Sequence, residues 1–166
     1  MISIAIDQAL NVSGYAVFDN KTLVAANTFT VSKTLPMELR LLDIYKHLTD
    51  LYHEYEFEKM YFEDIQLQAG NALTYKHLAY AQAAIILWCG HMDISYEILS
   101  PSHWRKILGG NFGRKRAEQK RYAIELVKKW YNIEVSSDIA DAICLGKAGI
   151  IQSTKSQIAF GEDIKK

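Results

Sequence analysis

Proline, cysteine and net charge are scarce in this 166-residue chain, which has 2 Pro, 2 Cys and a formal charge of zero. So few Pro, with 9 Gly, exclude collagen-like and proline-rich classes. Cys89 and Cys144 both sit in apolar helical patterns. They read as buried free thiols in a reducing cytoplasm, not as a disulfide framework. No apolar run approaches the roughly 18–20 residues that a membrane-spanning helix requires. The opening Met1 to Asp7 lacks a basic stretch and reaches an acid at position 7, so it is not read as a signal peptide. Internal repeats and Ser/Pro-rich linkers are missing too, which points to one domain over 1–151 and a polar tail, 152–166, expected to be loose. None of the five histidines has a partner at zinc-site spacing. Gly109-Gly110 is no nucleotide fingerprint, because no strand directly precedes it. What is present is an ordinary globular composition, 49% hydrophobic and 23% charged.

The zero charge conceals two populations. Residues 1–100 carry 6 basic and 12 acidic side chains, residues 101–130 carry 9 and 2, and residues 131–166 carry 4 and 5. The middle block includes Arg105, Lys106, Arg114, Lys115, Arg116, Lys120 and Arg121. A solvated helix face would explain such a run, and so would a footprint for phosphates. The loop Gly109 to Arg116 favours the second reading. It is glycine-rich and basic, and its single aromatic, Phe112, is suited to stacking on a base.

Hydrophobic spacing predicts the elements. Ile2, Ile4 and Ile6 alternate toward Asp7, Tyr15 to Phe18 form a second strand, and Thr22 to Val31 a third. Pro36 opens a helix to about Tyr55 with Leu39, Leu42, Ile44, Leu48 and Leu51 on its apolar spacing. Met60 to Phe62 is a short buried strand running into Glu63. An Ala-rich helix spans roughly Leu73 to His91, and its small residues would let another helix or a second subunit approach closely. Ile94 to Leu99 is a fifth strand. Ser102 is expected to cap a short helix, Arg116 to Tyr131 a longer one with Ala117, Ile124, Val127 and Tyr131 as its stripe, and Asp138 to about Ile151 the last. This order demands an α/β fold: a mixed five-stranded sheet, with three antiparallel meander strands and two parallel ones, and helices on both faces.

Four acids sit where solvated charge is not expected. Asp7 and Glu63 end apolar strands, and Asp138 and Asp141 lie three apart at a helix start, facing one way. Each alone has an ordinary role: a turn cap for Asp7, a loop start or lysine partner for Glu63, a helix-start acid for Asp138. Together they can converge at one sheet edge. Clustered carboxylates repel unless cations compensate them. Oxygen-only donors suit Mg²⁺ or Mn²⁺ rather than zinc. Two such ions can drive phosphodiester hydrolysis.

These residues carry a resemblance. Ile4-Ala-Ile-Asp7 followed by Gly14-Tyr-Ala-Val, Phe62-Glu63-Asp-Ile before a helix with Ala79, Gln82 and Ala83-Ala84, and Ser137-Asp138-Ile-Ala-Asp141-Ala are similar to three motifs of the RuvC-type Holliday-junction resolvases. The likeness runs from residue 1 to about 151, and the compact length looks more like bacteriophage members, which would place the chain in a host cytoplasm. It implies an RNase H-like fold, a homodimer built on the Leu73–His91 helix, and Mg²⁺-dependent paired nicking of four-way DNA junctions. Asp7, Glu63, Asp138 and Asp141 match the family's metal-binding catalytic acids, with two ions expected. Lys120, and Arg105 or Lys106, fall near its phosphate-contacting positions. One departure is plain: Asp64-Ile65-Gln66-Leu67-Gln68 follows Glu63, with no aromatic until Tyr75. That puts base stacking at the crossover in doubt and widens the range of branched DNA expected. A nuclease for RNA or RNA/DNA hybrid, and a non-catalytic junction-binding protein, are the competing readings.

Overall fold

A computed structural model describes residues 1–67 and 70–163, with side chains through 155. Gln68 and the end of the tail lie outside the described residues. The elements are β1 (Ile2–Asp7), β2 (Val12–Asp19), β3 (Thr22–Thr30), α1 (Met37–Tyr55), β4 (Lys59–Glu63), α2 (Ala72–Met92), β5 (Ser95–Leu99), α3 (Pro101–Leu108), α4 (Arg116–Tyr131) and α5 (Ser137–Asp163). The sheet order is β3-β2-β1-β4-β5. β1, β2 and β3 form the antiparallel meander, and β4 and β5 run parallel to β1.

Alternation along the central strands builds two cores. Ile4, Ile6, Met60 and Phe62 face α1 and α2, with Leu48, Ile85 and Trp88. Ala5 and Tyr61 face α3, α4 and α5, with Trp104, Val127, Ile143 and Leu145. Both faces of β1 are covered, which is why it reads as nearly continuous apolar sequence. Helix α5 lies close on the sheet because Gly146 and Gly149 leave room: a Cβ at either would overlap Phe18 or Tyr61.

Several boundaries differ from expectation. β2 starts at Val12, three residues before the expected Tyr15. Leu39 and Leu42 point outward from α1, whose buried residues are Ile44, Leu48 and Leu51. Ala117 is likewise exposed, and Ala123 joins Val127 inside. Helix α3 begins at Pro101 with Ser100, not Ser102, at its N-cap, since the proline ring presets the first helical φ. The largest difference is at the C-terminus. α5 does not stop near Ile151 but runs to Asp163. The stretch after Ile151 is expected to be loose because it is polar, but the side chains of Gln152, Ser153 and Thr154 are engaged. Ser153 shares hydrogen bonds with Tyr61 and Glu97, and Lys59 bonds both Ser153 and Glu97.

Candidate active site

Strand register brings the first two acids together. Ile6 pairs with Phe62, so Asp7 and Glu63 follow side by side at the C-terminal ends of parallel neighbours. Because Ile6 and Phe62 face α1 and α2, the next residue on each strand turns to the α5 side. Asp7 also pairs with Gly14 on β2. Gly14 has no side chain because the start of α5 presses there: a Cβ would overlap the Asp138 carbonyl. That contact seats the helix so that Asp138, and Asp141 one turn on, face the strand ends.

Gln8 locks the two strand ends. Its side-chain amide donates to the Glu63 carbonyl, and its Oε1 accepts the Glu63 N–H at 3.2 Å. Gln82 of α2 donates to the same carbonyl at 3.2 Å. The Glu63 carboxylate accepts the indole N–H of Trp104 at 2.6 Å. Lys120 reaches Ser137 Oγ at 3.0 Å and Asp138 Oδ1 at 3.2 Å.

The four carboxylates line one cleft of about 570 Å³, together with Arg105, Arg114, Arg116 and Lys120. Its electrostatics are those of crowded acids. Burial raises the Asp7 carboxyl well above its ordinary range; Asp141, Glu63 and Asp138 add to this, and Lys120 opposes it. Burial pushes Asp141 up to about 6, against the pull of Lys120 and Arg105 and with the push of Glu63 and Asp138. Glu63 is raised by burial, while the Trp104 N–H, Arg105 and Arg116 hold it down. Among the described residues no three of these side chains form a ready coordination cluster. The all-oxygen donor set fits a hard divalent cation.

The basic block divides. Arg105, Arg114, Arg116 and Lys120 face the cleft. Arg105 keeps a buried Nε with no hydrogen-bond partner among the described residues. Lys106 and Lys115 are exposed and outside the cleft lining, and Arg121 pairs along α4 with Glu125 at 3.6 Å. Phe112 is a correction: it does not project for stacking on a base. It is 7% exposed and packs edge-on against Trp104 and Tyr122, with ring centroids 5.5 and 4.8 Å away. The loop around it is folded rather than draped, since Glu118 Oε2 accepts the N–H groups of Arg114 and Lys115, each at 3.1 Å. Sequence reasoning missed Gln8 and Trp104. The adjacency of Gln8 to Asp7 was a usable signal; nothing local marks Trp104 as a partner of Glu63.

The mixed five-stranded sheet with its five helices is an RNase H-like fold, and carboxylates from two parallel strand ends and a helix start share its cleft with four cations. A family model described as "Crossover junction endodeoxyribonuclease RuvC" matches residues 3–148. The chain belongs to that family, whose members are metal-dependent nucleases. It is similar to the crossover junction endodeoxyribonucleases RuvC of Rickettsia akari, 26% identical over 87% of this chain and 94% of the relative, and of Bartonella henselae, 27% identical over 86% and 85%. Its fold is similar to that of Thermus thermophilus RuvC in complex with a Holliday junction substrate, with TM-score 0.76, 16% identity and coverage of 93% and 96%. It is also similar to the fowlpox virus resolvase, solved with Holliday junction DNA, with TM-score 0.53, 15% identity and coverage of 89% and 97%. No described helix is long and apolar enough to cross a membrane.

Proposed function

We propose that the chain resolves four-way DNA junctions, as a homodimer, by paired Mg²⁺-dependent nicks. The observation that carries this is the convergence of Asp7, Glu63, Asp138 and Asp141 in one cleft with four cations. Two Mg²⁺ ions, when bound, supply water activation and stabilisation of the leaving oxygen. Asp7 and Glu63 would hold them from the sheet, and Asp138 and Asp141 from α5. Lys120 steadies Asp138 and offsets the crowding of negative charge. Arg105, Arg114 and Arg116 neutralise substrate phosphates and so set register along the backbone.

The dimer reading rests on α2. Ala81 and Ala84 turn inward to the core, whereas Leu73 and Leu87 are 66% and 68% exposed on the outer side with Ala83 and Gly90. Paired nicks at a two-fold junction require two sites related by two-fold symmetry. Sedimentation at micromolar concentration should give a dimer, and Leu87→Glu a monomer. Asp64 to Leu67 supply no ring at the junction centre, so three-way junctions are expected to be cut as well.

The direct test is cleavage of four-way, three-way, linear and RNA/DNA hybrid substrates with Mg²⁺ and with Mn²⁺. Symmetric nicks in branched DNA, lost in Asp7→Asn while binding persists, support the proposal. Preference for the hybrid, or full activity of Asp7→Asn, refutes it.

A further inference from the structure

The structure places an indole where the metal-site carboxylate of Glu63 needs a fixed partner. Trp104 is 1% exposed, and its Nε1–H donates to Glu63 Oε2 at 2.6 Å. An indole N–H can only donate, so this bond specifies an acceptor and holds one carboxylate oxygen in one place. Among the described residues the Glu63 carboxylate accepts no other side-chain hydrogen bond; Gln8 and Gln82 hold its backbone, not its carboxylate.

Trp104 is itself wedged. The Phe112 ring meets it edge-on at 5.5 Å and 90°, and Tyr122 closes the row behind Phe112 at 4.8 Å. The Arg105 guanidinium lies 4.8 Å from the indole centroid. The loop that carries Arg114 thus reaches the Glu63 carboxylate through two packed rings, Phe112 and Trp104. The indole has apolar support on the sides that those contacts cover, and its one polar atom is aimed at the cleft.

We propose that Trp104 is a positioning residue for the nuclease reaction: it sets the orientation of the Glu63 carboxylate for metal binding, and Phe112 holds Trp104 in that pose. This rests on the reading of Glu63 as a metal ligand. Groups that orient a metal's ligands typically change metal affinity or activity about 10–100-fold when removed. The role differs from that of Arg114 or Arg116, because it acts on the metal site rather than on the phosphates.

The test uses the whole chain and Mn²⁺ alone as probe, with free Mn²⁺ read by electron paramagnetic resonance. Trp104→Phe removes the N–H and keeps an aromatic ring; Glu63→Gln is the control for the site. Mn²⁺ affinity about 10-fold weaker in Trp104→Phe, with metal-free junction affinity and KM unchanged and kcat reduced, supports the role. Phe112→Leu keeps the N–H but loosens its support. It should shift Mn²⁺ affinity in the same direction by a smaller factor, and it serves as the deciding variant if Trp104→Phe does not fold. Wild-type Mn²⁺ affinity in the folded Trp104→Phe protein overturns the proposal, provided Glu63→Gln weakens binding. If Glu63→Gln leaves Mn²⁺ affinity unchanged, the reading of Glu63 as a ligand is what fails, and the positioning role falls with it.

Discussion

Neutralising Asp141 should stabilise the metal-free protein while abolishing cleavage. Its carboxyl is pushed up to about 6 from an ordinary 3.8 by burial, against the pull of Lys120 and Arg105 and with a smaller push from Glu63 and Asp138. The native state therefore binds a proton that the unfolded chain has already released. Unfolding free energy falls as pH rises through the window from about 4 to about 6, and the penalty is complete above it. A shift of roughly two units corresponds to on the order of 3 kcal/mol at pH 7.5. For a chain of this length that is a Tm difference on the order of 5–10 °C. Thermal melts with EDTA should show Asp141→Asn above wild type at pH 7.5. The gap should narrow by about 1.4 kcal/mol for each pH unit descended within the window, and close near pH 4. Saturating Mg²⁺ should reverse the order, because it stabilises only the protein that can bind it. An Asp141→Asn protein no more stable than wild type at pH 7.5 in EDTA would falsify the view that this site is held in electrostatic tension. So would a gap independent of pH.

Three further outcomes follow from the geometry. Gly14→Ala drives a Cβ into the Asp138 carbonyl; it should cost about 1–3 kcal/mol in urea melts, and cleavage should fall more than junction binding. Gln8→Ala removes both side-chain bonds to the Glu63 backbone, so a loss of about 1–3 kcal/mol is expected, with kcat reduced; unchanged kcat would show that the strand ends hold register without it. Replacing Arg114 and Arg116 together should lower the slope of log affinity against log salt by about two, and Arg121→Ala should leave it unchanged, as a junction-binding titration between about 50 and 200 mM salt would report.

Periodicity was enough for the five strands and for picking out the four acids, because both depend on local pattern. An acid that ends an apolar strand, or repeats at i,i+3 on a helix whose other residues are apolar, is conspicuous against its own neighbours. Phe112 was misjudged for the complementary reason. Its neighbours are glycines and cations, which describe a solvated loop, while its burial comes from Trp104, eight residues earlier, and Tyr122, ten residues later. Trp104 carries no mark of its own in the sequence, since its bond to Glu63 joins elements 41 residues apart. The continuation of α5 was hidden in the same way. Gln152 and Ser153 look like a tail until the partners on β4 and β5 that satisfy them are known.

Charge in the cleft links the two halves of the site. Five acids line it, counting Asp64, against Arg105, Arg114, Arg116 and Lys120. The metal-free lining is therefore about neutral to slightly negative, and the cations that should meet phosphates are partly held by carboxylates, as Lys120 is by Asp138 at 3.2 Å. Two divalent ions would leave the same surface at about three positive charges and free those cations for DNA. Junction affinity should then be controlled from the acid side. In EDTA at pH 7.5, Asp141→Asn should bind a four-way junction more tightly than wild type, because it removes one repelling charge within reach of the phosphates and costs no donor. The gain should shrink as salt rises, since the term involved is electrostatic. Equal affinities in EDTA at low salt would mean that the phosphates never come close enough to feel this carboxylate, which would separate the DNA-binding surface from the acid quartet.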